Sequence, residues 1–189
     1  TGEYGFNQTF FTDARIPASC LMGEEGGGWK VAMKTLEYER GVTAGQASGH
    51  WGVTIQIDDM INELRVLEQD GEALLSDPIV RDDLVGFMME AKALSLSARR
   101  MSVSALNTDY PMGLALSVKY RGTEYERRMK QYTASKQGAR SALYVGDADA
   151  VRGGFWQRAY FSNFGATIGG GTTQVQANII AEHVLGLPK

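Results

Sequence analysis

No proline interrupts residues 29–69, and apolar residues recur there at near-helical spacing: Trp29, Met33, Leu36 and Val42, then Trp51, Ile55, Ile57, Met60, Ile61, Leu64 and Leu67. A proline inside a helix removes one backbone hydrogen bond and clashes with the preceding turn, so its absence over such a span leaves one long helix open to the chain. Gly45, Gly49 and Gly52 each cost that helix up to about 1 kcal/mol relative to alanine, and they allow a neighbouring helix or a cofactor to approach. Gln69-Asp70-Gly71 is a turn signal, after which Asp77-Pro78 offers a capping residue followed by proline at the first helical position. Ile79, Val80, Leu84, Phe87, Met88, Ala91, Leu94, Ala98 and Met101 give the second helix a buried face, and Asn107 to Pro111 breaks it. A third helix carries Leu114, Val118, Tyr125, Met129 and Tyr132 and is expected to end before Gly146-Asp147. Phe155 to Phe161 reads as a short helix and Val175 to Leu185 as a final one. Four principal helices with short connections predict an all-α, four-helix bundle. Residues 6–11, rich in aromatic and β-favouring types, predict a short β segment ahead of it, ended by Pro17.

Composition excludes more than it assigns. A formal net charge of -3 gives no general attraction for nucleic acid or an anionic membrane, and no apolar run approaches the roughly 20 residues that span a bilayer. The single cysteine, Cys20, cannot form an internal disulfide and fits a reducing cytoplasm. His50 and His183 lie far apart in sequence with no cysteine or acidic cluster at ligand spacing, so no metal site is expected. The basic stretch around Arg121, Arg127, Arg128 and Lys130 reads as a solvated face or an interhelical salt-bridge set.

The two ends of the chain carry a more specific signal. The tail runs Gly169-Gly170-Gly171-Thr172-Thr173-Gln174-Val175-Gln176, then Asn178-Ile179-Ile180-Ala181-Glu182, then Leu185-Gly186-Leu187-Pro188. The head runs Phe6 to Pro17, then Leu21-Met22-Gly23, then Gly28-Trp29-Lys30-Val31-Ala32-Met33, with Glu37-Tyr38-Glu39-Arg40-Gly41 about one turn further on. Both ends resemble the C-terminal half of acyl-CoA dehydrogenases, flavoenzymes that remove two hydrogens across the α and β carbons of an acyl-CoA thioester. The resemblance implies that residues 1–22 are the end of a truncated β-domain with its connecting loop and that residues 23–189 are the C-terminal helical bundle. It also implies a longer parent protein, an FAD cofactor and an acyl-CoA substrate. Further partners it implies are an electron-transfer acceptor and assembly with itself or a paralogous subunit as a dimer or tetramer.

Many members of that family place the catalytic glutamate directly before the Gly-Thr of the tail, where this chain has Gly170. Some members instead carry the base on the first bundle helix, immediately before an arginine, and Glu39 stands there. Abstracting a proton from the α carbon needs a poorly solvated carboxylate whose pKa is raised toward neutrality. Two roles are therefore open to Glu39, catalytic base or solvated helix glutamate. Arg40, next to it, either shapes the active site, as the resemblance implies, or makes a structural salt bridge. Thr172 and Gln174 match a Thr-x-Gln that contacts the flavin dinucleotide, partly across a subunit interface. Arg65 falls where an Arg-x-x-Phe-Gly motif would grip the flavin pyrophosphate of a neighbour, but Val66-Leu67-Glu68 lacks the Phe-Gly, so a solvated helix arginine competes with that role. The Gly-Gly-x-Gly segment is reduced to Gly146. This combination is similar to an actinobacterial sub-group acting on bulky acyl-CoA thioesters, including steroid side chains, in which some enzymes pair two related subunits. The alternative reading is a non-catalytic assembly subunit of such a heteromer.

Overall fold

The computed structural model describes residues 1–45, 57–101, 103–106 and 112–188, with the side chains of 37–45 and of Met112 outside the description. Helix α1 spans Gly28–Gly45 and α2 spans Ile57–Val66. Across 29–69, where the spacing predicts one helix, α1 and α2 are described, and residues 46–56, with Gly49, Gly52 and His50, lie outside the described residues. Helix α2 is short but well specified. Asp58 and Asp59 stand in its first turn and Arg65 in its last, each charge opposing the helix dipole, and Met60 and Leu64 are fully buried one turn apart.

A two-residue-per-strand hairpin follows, β1 (Glu68–Gln69) against β2 (Glu72–Ala73), with Glu68 opposite Ala73. Asp70 and Gly71 both take positive φ, 53° and 83°, which makes the tight turn that matches strand twist. Helix α3 (Pro78–Met101) begins as the sequence predicts: the Asp77 carboxylate accepts from the Ile79 N–H at 2.8 Å, with Pro78 at the first helical position. Arg81 donates back to the Leu75 and Ser76 carbonyls at 2.8 and 2.9 Å, fixing the 3-10 turn after the hairpin against the start of α3. The break expected at 107–111 lies outside the described residues.

Helix α4 (Met112–Ser135) is the axis of the bundle, packing on α1, α3 and α5 and also touching α2 and α6. Its end comes at Ser135, earlier than Gly146, because the chain turns there into short 3-10 segments. Helix α5 (Phe155–Ile168) runs past the expected Phe161 to the glycine triplet, and α6 (Thr173–Ile179) continues as a π-turn over Ile180–Val184. The core joins Met60 and Leu64 from α2, Val80 and Leu84 from α3, Tyr125 and Met129 from α4, and Trp156 from α5. Phe87 stacks edge-on to Tyr125 at 6.1 Å, closing α3 onto α4.

One expectation is corrected. Among the described residues, 6–11 form no strand; Phe6, Phe10 and Phe11 stand exposed, and β1–β2 is the sheet present. A strand requires a neighbour to take up its backbone hydrogen bonds, and among the described residues the one strand pairing is β1 with β2. Glu3 pairs with Arg158 and the Thr1 carbonyl accepts from Tyr144, which lays the start of the chain near α5.

Candidate functional site

The Gly169–Gly171 turn and the start of α6 form a tightly held corner of the bundle. Helix α5 closes when the Gly169 N–H donates to the Gly165 carbonyl at 2.8 Å, and Gly171 then donates to Ile168 at 3.1 Å. Gly170 and Gly171 both adopt left-handed φ, 67° and 104°. A side chain at Gly171 would also drive its Cβ to 2.8 Å from the Gln176 amide nitrogen. Only glycine makes this turn without strain. Thr172 then caps α6, its hydroxyl accepting from the Val175 N–H at 3.3 Å.

Two buried side chains grip the turn. Lys119 of α4 donates to the Gly171 carbonyl at 2.6 Å and to the Thr167 carbonyl at 3.5 Å. Gln176, fully buried, donates to the Gly170 carbonyl at 2.6 Å. Beside them, the Thr173 hydroxyl donates to Glu124 of α4 at 2.8 Å, and Arg127 donates to the other Glu124 oxygen at 3.0 Å. The Thr173 hydrogen bond chiefly holds the Glu124 carboxyl below its ordinary value; burial works against it and Arg127 assists.

Thr172 and Gln174 are therefore brought together at the head of α6, with Thr172 half-buried and Gln174 exposed. The Thr172 hydroxyl accepts the capping bond and keeps its own proton to donate, and Gln174 offers an amide at the surface. The buried Gln176 Oε1 has no hydrogen-bond partner among the described residues. The Thr172 hydroxyl and the exposed Gln174 amide are polar groups that could meet a polar ligand edge from outside the bundle. Arg65 is exposed in the last turn of α2, which packs on α3 and α4, not in the corner of α4 and α6. Glu39 and Arg40 fall within α1, which packs on α4; their side chains lie outside the described residues.

Sequence reasoning passed over Lys119, Gln176 and Glu124. A signal existed for the lysine: it sits among Ala115, Leu116, Val118 and Tyr125, at the buried register of α4, where an unpaired ammonium would be costly.

The family model for the C-terminal domain of acyl-CoA dehydrogenases matches residues 26–185, and the chain belongs to the acyl-CoA dehydrogenase family. It is similar along its whole length to acyl-CoA dehydrogenase IpdE1 of Mycolicibacterium smegmatis, at 34% identity over 44% of that protein. It is likewise similar to IpdE1 of Mycobacterium tuberculosis, at 31% identity over 46% of that protein. The chain thus spans under half the length of these curated relatives. In fold it resembles the Tcur3481-Tcur3483 steroid acyl-CoA dehydrogenase, with a TM-score of 0.72 and 24% identity, over 95% of this chain and 45% of that one. Butyryl-CoA dehydrogenase from Megasphaera elsdenii is similar in fold at a TM-score of 0.68 and 19% identity, over 93% of this chain and 43% of that one. Family membership carries a flavin cofactor in general. Among the described residues, no helix is long and apolar enough to cross a membrane.

Proposed function

We propose that this chain serves α,β-dehydrogenation of an acyl-CoA thioester in a longer, FAD-dependent protein, with Glu39 as the base. The observation that carries the reading is Gly170. Where many relatives hold their glutamate, this chain has a residue with φ of 67° and no side chain, so the base comes from another element. Helix α1 packs on α4 and carries Glu39.

In this mechanism Glu39 would accept the α proton of the bound thioester. Arg40 shapes the acyl site. Thr172 and Gln174 would hold FAD from the head of α6, and Arg65, on α2 away from that corner, would meet the flavin pyrophosphate of a neighbouring subunit. The flavin, when bound, supplies the acceptor for hydride leaving the β carbon. The acyl group is bulky, in keeping with the steroid dehydrogenase among the fold neighbours. The protein assembles with itself or a paralogue as a dimer or tetramer, passes electrons to a separate acceptor and resides in the cytoplasm. Relatives that match over the whole chain carry dehydrogenase names, which favours catalysis over the assembly-subunit alternative.

The test is acyl-CoA-dependent dye reduction by the full-length parent, wild type against Glu39→Gln, with bound flavin monitored by its absorbance. The expected outcome is a rate loss of about 10²-fold or more with flavin retained. Activity that survives the substitution moves the base elsewhere.

A further inference from the structure

Lys119 is 8% exposed, stands in the first third of α4, and makes a 2.6 Å bond to a backbone carbonyl of the glycine turn. It also donates to the Thr167 carbonyl at 3.5 Å, in the last turn of α5. One ammonium therefore joins three elements: the helix it stands on, the end of α5 and the turn that starts α6. The turn needs such a tie. Two successive residues with left-handed φ leave the backbone free to take other conformations, because glycine loses more freedom on ordering than any other residue. The Gly171 carbonyl that Lys119 holds immediately precedes Thr172, so its orientation sets the direction in which α6 departs. Gln176 holds the Gly170 carbonyl from the other side at 2.6 Å.

We propose that Lys119 is the positioning residue of the cofactor contact: by clamping the Gly171 carbonyl it fixes the register in which Thr172 and Gln174 face a flavin dinucleotide. This rests on the proposed FAD role of Thr172 and Gln174. The lysine itself touches no reacting atom. A charge-assisted bond from a buried ammonium is stronger than a neutral one, and its removal takes that partner from the part-buried Gly171 carbonyl. Truncating it therefore frees the turn while the apolar core beneath it stays packed.

The experiment uses the full-length parent and compares wild type, Lys119→Met, Lys119→Arg and Met129→Ala. Met129 is fully buried elsewhere on α4, so its truncation serves as a destabilising control away from the turn. Two quantities are read: amide hydrogen exchange over residues 169–176, and the dissociation constant for FAD from fluorescence titration of the apoprotein. Lys119→Met is expected to speed exchange across the turn and to weaken FAD binding about tenfold, the loss of one charge-assisted bond. Lys119→Arg restores part of both, and Met129→Ala lowers thermal stability with little change in either. Unchanged exchange in Lys119→Met overturns the clamp. Faster exchange with unchanged FAD affinity overturns its link to the cofactor, as do equal FAD losses in Lys119→Met and Met129→Ala. A wild-type protein that binds no FAD overturns the flavin reading itself, and Thr172→Ala with Gln174→Ala, binding FAD as wild type does, identifies the same failure.

Discussion

Glu63 of α2 and Arg152, from the turn ahead of α5, form an ion pair at 3.2 Å in which the carboxylate side chain is 1% exposed and the guanidinium side chain 47%. The other Glu63 oxygen accepts from Gln137 at 3.1 Å, and Gln137 in turn accepts from Gln157 at 2.7 Å. The two charges are thus unequally dependent on each other. Arg152→Ala leaves a carboxylate buried with one neutral donor and is expected to cost about 3 kcal/mol or more. Glu63→Gln leaves an arginine that water can reach and is expected to cost about 1 kcal/mol. Urea denaturation midpoints decide it, and equal losses from the two variants would contradict the asymmetry.

Gly154, at the N-terminus of α5, cannot carry a side chain. Its φ is 75°, and an added Cβ would come within 2.6 Å of the Val145 nitrogen and 2.9 Å of the Tyr144 carbonyl carbon, both backbone atoms. Gly154→Ala is expected to destabilise by about 2 kcal/mol or more, from left-handed strain together with overpacking. Gly86, inside α3 with open space around its Cβ position, should respond the other way: Gly86→Ala gains about 0.5–1 kcal/mol from helix propensity. Thermal melts of the two variants should move in opposite directions.

The clasp between α4 and α6 is pH-sensitive through Glu124. The Thr173 hydroxyl holds its folded-state pKa below the ordinary 4.5, so its contribution is fully present above that value. Folding stability from this group falls as pH drops from 4.5 toward the depressed folded pKa, because the unfolded chain takes up the proton first. Glu124→Gln should flatten that part of the acid unfolding curve, and Thr173→Val should shift it toward the ordinary carboxylate range. An unchanged acid limb in Glu124→Gln would remove Glu124 from the account.

Installing a glutamate in the family's usual place should not rescue the proposed base variant. Gly170 has φ of 67°, so Gly170→Glu strains the turn, and the hypothetical Cβ lies 4.0 Å from the Lys119 side chain. The double variant Glu39→Gln/Gly170→Glu of the full-length parent is expected to stay inactive in the dye-linked assay. Recovered activity would show that position 170 still faces the acyl site.

The 189-residue chain alone is expected to turn over no acyl-CoA, since its curated relatives are more than twice as long. Dehydrogenation by the chain on its own would mean that the site is complete within it.

The sequence by itself determined the helices and where several of them begin. Asp77-Pro78, the Asp70-Gly71 turn and Thr172 act through hydrogen bonds to backbone within a few residues, and each does in the folded chain what its local chemistry dictates. The apolar periodicity likewise marked Met60, Leu64, Val80, Leu84, Tyr125 and Met129, because burial follows the face a helix turns inward. Residues 6–11 failed as a strand for the complementary reason: β structure is completed by a neighbour, and a residue's own preference cannot supply one. Tertiary structure alone decided that Lys119 of α4 would meet the Gly171 carbonyl and that Glu63 would meet Arg152 and Gln137, partners 52, 89 and 74 residues away in sequence. A buried charge is tolerable only where folding delivers its counterpart, and that delivery depends on how helices cross, which no local spacing encodes.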